Sequence, residues 1–270
     1  MAAIVRQPAV AGRFYPDKPD ALRAEVSSYI LPATTPTAAI GCIVPHAGYM
    51  YSGHVAGAVY SQLKIPGHCI LMCPNHTGRG EPLSIMSAGE WKTPLGNAPI
   101  DSELAVFLKT KFSLLDEDAE AHRAEHAAEV QLPFLQMVNP DFSFVPIAVG
   151  TGQFEILEAL GSAIADVLAQ QSKPVLIIAS SDMNHYENDQ ITRVKDHKAI
   201  DQILALNPRG LFDVVIKEKI SMCGFGPAVV MLTAARQLQA THAGLVKYAT
   251  SGDVSGDRNV VVGYAGVIVT

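Results

Sequence analysis

Three apolar segments of this chain each end in a short polar loop that carries one histidine. They read GCIVPHAGYMYSG (41–53), CILMCPNHTGRG (69–80) and LIIASSDMNHY (176–186). Each apolar part has the length and composition of a buried strand. Ligands of open α/β sheets bind beyond the carboxyl ends of the strands. If the three strands are parallel neighbours, His46, His76 and His185 therefore converge on one site.

The rest of the chain alternates strand-like and helix-like segments. Apolar runs of strand character lie at 40–44, 69–73, 142–149, 175–179, 245–250 and 260–270, with a polar-edged stretch near 83–87. Helical periodicity or start signals occur at about 18–30, 101–108, 154–170, 199–206 and 228–238. No repeat or low-complexity linker divides the chain. We predict a single α/β domain over residues 1–270, with a mostly parallel or mixed sheet covered by helices on both faces.

Composition limits the classes of partner. The 49% apolar content supplies a large core, and the longest apolar runs are far shorter than the roughly 20 residues of a membrane helix. The net charge is −6, from 20 basic and 26 acidic residues without a basic cluster, which argues against nucleic acid and anionic membranes. The first 16 residues lack a basic region followed by an apolar core. We predict a cytoplasmic protein with a small-molecule or peptide ligand.

The four cysteines fall into two groups. Cys42, Cys69 and Cys73 lie inside apolar strands, where a thiol usually behaves as a small buried hydrophobic group. Cys223 instead precedes a helix with a proline in its first turn. The partial positive charge of a helix N-terminus favours a thiolate there. Cys223 is therefore predicted to be the reactive cysteine.

These residues suit a transition metal. Imidazole is the commonest protein ligand for such ions, and flanking polar groups can fix its tautomer. A mononuclear site with open positions needs about three protein ligands. His46, His76 and either His185 or Cys223 would supply them.

A further segment, AEHAAEVQLPF (124–134), adds acid and base groups. On one helix, Glu125 and Glu129 would share a face four residues apart, with His126 three residues before Glu129. Such a face could serve catalysis, or it could simply be exposed to solvent.

Together these motifs resemble the Memo family, whose bacterial and archaeal members are called AmmeMemoRadiSam system protein B. The resemblance extends over nearly the whole chain and rests on PAVAGRFYP (8–16), PHAGYMYSG (45–53), PNHTG (74–78), EHAAEVQLPF (125–134), SSDMNHY (180–186), CGFGP (223–227) and GYAG (263–266). It implies a fold similar to the class III extradiol dioxygenases, in which two histidines and a glutamate hold Fe(II) at the end of a sheet. It also implies a radical-SAM protein as a partner.

The resemblance assigns roles to individual residues. His46 and His76 match the two metal-binding histidines of the family. Cys223 matches the position where Memo proteins carry cysteine in place of the dioxygenase carboxylate. His185 is similar to the acid/base histidine of the dioxygenases. The resemblance to the dioxygenases makes iron the first expectation for the mononuclear metal. Because thiolate is a softer ligand than carboxylate, copper and zinc are alternatives, and ring cleavage is not inherited with the fold.

In the same resemblance, Asp182 and His126 would support the metal from its first or second coordination shell. Three functions remain open on these residues. The first is a metal-dependent oxidoreductase in which His185 transfers a proton. The second is a non-catalytic module that uses the former metal cleft to bind a peptide or small ligand, as animal relatives are implicated in binding phosphotyrosine peptides. The third is a metal-assisted hydrolase with Glu129 or Asp182 as the base.

Overall fold

The structure is a computed structural model that describes residues 4–31 and 35–270. Its strands are β1 (Val5–Arg6), β2 (Gly41–Val44), β3 (His68–Pro74), β4 (Leu83–Ile85), β5 (Glu90–Thr93), β6 (Gly96–Pro99), β7 (Asp116–Glu117), β8 (Ser143–Val149), β9 (Val175–Ser180), β10 (His185–Glu187), β11 (Ala243–Thr250) and β12 (Val261–Val269). Its α-helices are α1 (Pro19–Tyr29), α2 (Tyr49–Gln62), α3 (Ser102–Lys111), α4 (Glu120–Arg123), α5 (Leu132–Val138), α6 (Phe154–Leu168), α7 (Asp189–Leu204), α8 (Pro208–Lys217), α9 (Phe225–Gln237) and α10 (Gly252–Ser255). Residues 1–3, which begin the N-terminal segment considered above, lie outside the described ranges.

Four parallel strands form the centre of the main sheet, in the order β2-β9-β3-β8. Antiparallel partners flank this centre: β12 pairs with β2, and β4 pairs with β8. Val44 is in register with Ser180 at the ends of β2 and β9, so both strands deliver their following loops to one edge. The prediction that the three strands preceding the histidine loops are parallel neighbours is confirmed. A smaller sheet has the order β1-β5-β6.

Each face of the main sheet carries its own apolar core. Ile43, Ile70 and Ile177 point into the core shared with α3, α6, α7, α8 and α9. The alternate positions, such as Leu71 and Ile178, point into the core shared with α1, α2 and α5. Side chains alternate because successive residues of a strand face opposite sides. The α/β class and the helical cover on both faces are therefore confirmed.

The three strand cysteines occupy the second of these cores. Cys42, Cys69 and Cys73 are fully buried and are not joined in disulfides. Burial raises the pKa of each thiol, which keeps it neutral. The prediction that they act as small buried hydrophobic side chains is confirmed.

Helix α2 was not anticipated from the sequence. It is buried around most of its circumference, so it lacks the one-sided apolar pattern of a surface helix. Its Gly57 allows close packing, because a Cβ there would lie 2.4 Å from the carbonyl oxygen of Tyr29. Helix α8 and the β5–β6 hairpin are among the other elements that the sequence did not reveal. None of the helices within residues 4–31 and 35–270 is long and apolar enough to cross a membrane.

Candidate metal centre

Three side chains from distant parts of the chain meet at the carboxyl edge of the parallel strands. His46 follows β2, His76 follows β3, and Cys223 lies in the turn before α9. One donor atom from each forms a group in which all atoms lie within 4.8 Å of one another. The His46 Nε2 atom is 3.2 Å from the Cys223 Sγ atom. The structure thus brings together two imidazoles and one thiol, the three residues predicted as metal ligands.

The turn before α9 approaches the end of β9 very closely. A Cβ on Gly224 would lie 2.4 Å from the carbonyl oxygen of Ser180, so only glycine fits there without displacement. The Gly224 amide donates to Ser181 Oγ at 3.1 Å. This contact places the neighbouring Cys223 beside the strand end.

The expectation that the helix N-terminus favours a Cys223 thiolate is wrong for the metal-free protein. Burial raises the pKa of the Cys223 thiol well above its ordinary value, and the Asp182 carboxylate acts in the same direction. The cysteine lies two positions before the first residue of α9, and removal from water is the largest influence on its thiol. The Cys223 thiol is therefore protonated at neutral pH.

A hydrogen-bond network fixes the tautomer of His46. The Ser180 hydroxyl donates to the carbonyl oxygen of Ala127 at 2.6 Å and accepts from Gln131 Nε2 at 2.8 Å. Its remaining partner is His46 Nδ1 at 3.0 Å, which must therefore be the donor. The His46 Nε2 atom is left unprotonated, with its lone pair free beside Cys223. Burial also lowers the pKa of His46 well below its ordinary value, so the ring is neutral.

His76 is oriented by the buried carboxylate of Glu125. The Nδ1 atom of His76 lies 2.9 Å from Glu125 Oε1, and the His76 amide donates to Oε2 at 2.6 Å. Burial acts to raise the pKa of Glu125, but the hydrogen bonds and the charge interaction with His76 outweigh it and lower the pKa to about 2. The ionised carboxylate accepts a hydrogen bond from the Nδ1–H group of His76. The Nε2 atom of His76 is then the one available as a metal ligand. This is the carboxylate–histidine pair that commonly supports metal ligands.

His126 forms a second possible donor group with His76 and Glu125. Its ring stacks on His76 with centroids 4.7 Å apart. Glu125 already accepts from His76 and from the Ala127 amide, so its oxygens serve to hold the loop. We interpret this second group as the support of His76. Burial lowers the pKa of His126 to about 4, so this ring is also neutral.

A cleft of about 590 Å³ opens over the three donors. The predicted residues His185, Asp182 and His126 line it, together with Phe14, Tyr186 and Ser221. The His185 Nδ1 atom donates to the carbonyl oxygen of Ser221 at 2.8 Å, which places the lone pair of the neutral ring on Nε2. His185 lies in the wall of the cleft and is not part of the three-donor group.

Asp182 is buried beside His46. Its Oδ1 atom accepts from the His46 amide at 2.7 Å, and burial raises the pKa of its carboxyl group despite that hydrogen bond. Asp182 thus holds the backbone of the first histidine loop and borders the cleft.

The comparisons with known proteins agree with the motifs. The family described as Memo-like protein matches residues 6–268. The chain belongs to the Memo family. A MEMO1 family protein of Methanothermobacter thermautotrophicus is 42% identical, over 97% of this chain and 99% of its own length. A MEMO1 family protein of Methanosarcina barkeri is 45% identical, over 98% of this chain and 100% of its own.

Among solved structures, an uncharacterized protein from Escherichia coli K12 has a similar fold. The TM-score is 0.55 at 12% sequence identity, covering 84% of this chain and 98% of the other. At this identity the likeness concerns the fold alone.

Glu129 does not join the cleft of this Memo family protein. Residues 124–128 are not helical, so Glu125 and Glu129 do not share a helix face as expected. The Glu129 carboxylate is fully buried and forms an ion pair with Arg6. It also accepts from the amides of Ala9 and Val10 and from the Tyr15 hydroxyl. Glu129 therefore anchors the N-terminal loop and is not placed to act as a base in the cleft.

Sequence reasoning overlooked two supports of the Memo family site. Ser180 and Gln131 fix the His46 tautomer, and neither residue was predicted to belong to the site. The sequence feature that could have indicated the role of Ser180 is its position at the end of a buried strand, where an unpaired hydroxyl is costly. No local pattern marks Gln131.

Proposed function

We propose that this Memo family protein is a metal-dependent redox protein. A mononuclear transition metal, iron first and copper or zinc as alternatives, would be held by His46, His76 and Cys223. The observation that carries the proposal is the donor group itself. Two imidazoles have their Nδ1 atoms engaged by protein acceptors, and the Nε2 atom of one lies 3.2 Å from the thiol.

The chemistry of the donors fits such a metal. Imidazole suits iron, copper and zinc, and thiolate favours the softer of these ions. Three protein donors leave coordination positions for a substrate. A bound iron or copper ion would supply one-electron chemistry that protein side chains lack. The similarity to extradiol dioxygenases favours iron, and the thiol in place of a carboxylate is the reason to test copper as well.

The side chains around the donors provide proton transfer and orientation. His185 is proposed to act as the base: the Nε2 atom of its neutral ring would accept a proton from an acidic group of a substrate in the cleft and return it later. His126 and His46 are neutral, so they add no positive charge that would repel a cation. The tightly held loops keep the donors preorganised.

Metal analysis after anaerobic purification tests the proposal. The protein is loaded with Fe(II), Cu(I) or Zn(II), and the bound metal per chain and the oxygen consumption are measured. Stoichiometric iron or copper with metal-dependent oxygen uptake is the expected result. Zinc alone with hydrolytic turnover would favour the hydrolase. Absence of stoichiometric binding for all three ions would favour the peptide-binding module. The radical-SAM partner and the cytoplasmic location stay predictions.

Glu125→Gln is expected to weaken metal binding about 10- to 100-fold, the usual effect of losing a carboxylate behind a ligating histidine. The amide keeps the shape of the side chain but removes the charge that favours the Nδ1 proton of His76. Competition with a chromophoric chelator measures the Kd. Glu120→Gln is the matched control, because the Glu120 side chain is half-exposed and pairs with two surface arginines, away from the three donors. Equal affinities for both variants would contradict the role of Glu125.

Metal binding is expected to strengthen with pH, by about tenfold per pH unit near pH 7. The raised pKa of Cys223 means that its proton is present at neutral pH and must leave when a metal binds. His46 contributes no proton, because its lowered pKa leaves it already neutral. Calorimetry in buffers of different ionisation enthalpy should show about one proton released per metal. In Cys223→Ala, the residual binding should release close to none.

A further inference from the structure

Asn184 is a buried side chain that the site described above does not use. Its Oδ1 atom accepts from the Ser221 amide at 3.1 Å and lies 3.1 Å from the Ser221 hydroxyl. Its Nδ2 atom donates to Glu187 Oε2 at 2.7 Å. The main-chain amide of Asn184 donates to the buried carboxylate of Asp196 at 2.8 Å. Asn184 thus joins two segments that are 37 residues apart in the chain.

Both segments carry a residue of the proposed site. One contains His185, directly after Asn184. The other contains Cys223, two residues after Ser221. Ser221 itself holds His185 twice: its hydroxyl accepts from the His185 amide at 2.7 Å, and its carbonyl oxygen accepts from Nδ1 at 2.8 Å. The position of Ser221 therefore determines which nitrogen of His185 carries the proton.

We propose that Asn184 is a positioning residue that sets the tautomer of His185 and the location of Cys223 through Ser221. The roles of His185 and Cys223 rest on the proposed function, but the positioning itself does not. Ser221 is exposed, and its chain neighbours Ile220 and Met222 are buried in the core. Its main-chain amide and its hydroxyl both meet a single amide oxygen, and that oxygen is fixed because Asn184 is buried and bonded at four atoms.

The side-chain amide of Asn184 has an oxygen arm (Oδ1) and a nitrogen arm (Nδ2), and substitutions can remove them separately. The oxygen arm holds Ser221, and the nitrogen arm holds Glu187. Asn184→Asp keeps an oxygen acceptor for Ser221. Asn184→Leu has a similar volume but removes both arms. Glu187→Ala removes the nearer partner of the nitrogen arm and the ion pair with Lys195, and it leaves the oxygen arm untouched. The proposal requires the oxygen arm alone to control His185.

Nitrogen NMR of histidine-labelled protein without metal tests this. Its His185 signals are assigned with His185→Gln. In the wild type, Nδ1 should be the protonated nitrogen and Nε2 the unprotonated one. We expect Asn184→Leu to convert this single tautomer to a mixture, and Asn184→Asp and Glu187→Ala to keep it. If Asn184→Leu does not fold, Ser221→Ala replaces it, because loss of the hydroxyl removes one bond to Asn184 and one to His185. A wild-type tautomer in the folded variant used would overturn the proposal.

Cobalt(II) titration tests the effect on Cys223. We expect Asn184→Leu to weaken Co(II) binding about tenfold, in the range seen for outer-shell changes, and to reduce the thiolate-to-cobalt absorption band. Glu187→Ala should leave both unchanged. Affinity and band intensity equal to the wild type in Asn184→Leu would overturn the role for Cys223. A wild type that binds no Co(II) would count against the metal site, while the tautomer measurement would still decide the proposal for His185.

Discussion

Replacement of any one of the three donors is expected to weaken metal binding by at least about a hundredfold, more than the loss of an outer-shell partner. The variants are His46→Ala, His76→Ala and Cys223→Ser. A three-donor site that loses one ligand keeps only two, and a serine hydroxyl does not deprotonate as a thiol does when a metal binds. Chelator competition and metal content per chain measure the effect for iron, copper and zinc.

The control for this series is His197→Ala. His197 is exposed on α7, where its Nδ1 atom bonds the carbonyl oxygen of Arg193. Its loss should leave both affinity and stoichiometry unchanged. Wild-type affinity in Cys223→Ser together with loss in both histidine variants would remove the thiol from the ligand set. Retained affinity in all three variants would place the metal elsewhere and end the proposed function.

Glu129→Gln is expected to destabilise the protein by about 3 to 5 kcal/mol, because it leaves the buried Arg6 guanidinium without its counter-charge. For a chain of this size that corresponds to a fall in Tm of roughly 10 °C. Thermal and urea unfolding measure the change. Glu155→Gln, an exposed carboxylate at the start of α6, should alter stability by less than about 0.5 kcal/mol.

The same variant separates the two roles considered for Glu129. The folded Glu129→Gln protein should bind metal with wild-type stoichiometry, because the Glu129 carboxylate faces Arg6 and the N-terminal loop. Loss of metal binding at full stability would instead place Glu129 in the site. A stability equal to the wild type would show that the ion pair with Arg6 is not formed.

Local patterns in the sequence were sufficient to predict the buried central strands of the main sheet. Apolar runs such as 69–73 and 175–179 predicted strands within one or two residues of β3 and β9. The start signal at 101–108 marks helix α3, where Asp101 caps the N-terminus by accepting from the Leu104 amide at 3.2 Å. Helix α2 escaped prediction because burial on nearly all sides removes the periodic pattern on which such predictions depend.

The two glutamates of segment 124–134 show where sequence reasoning fails. Both are followed by helix-forming residues and both are fully buried. One supports His76 across 49 residues of chain, and the other pairs with Arg6 across 123. Their roles depend on partners that no spacing within the segment reveals.

The sequence by itself determined the α/β class, the Memo family, and the set of residues that meet at the edge of the sheet. Strand ends and their loops follow from local hydrophobic pattern, and parallel strands bring those loops to one edge. Only the tertiary structure decided the protonation and support of each residue. Tautomers and pKa values depend on burial and on hydrogen bonds between distant segments, as in Ser180 behind His46 and Asn184 behind Ser221.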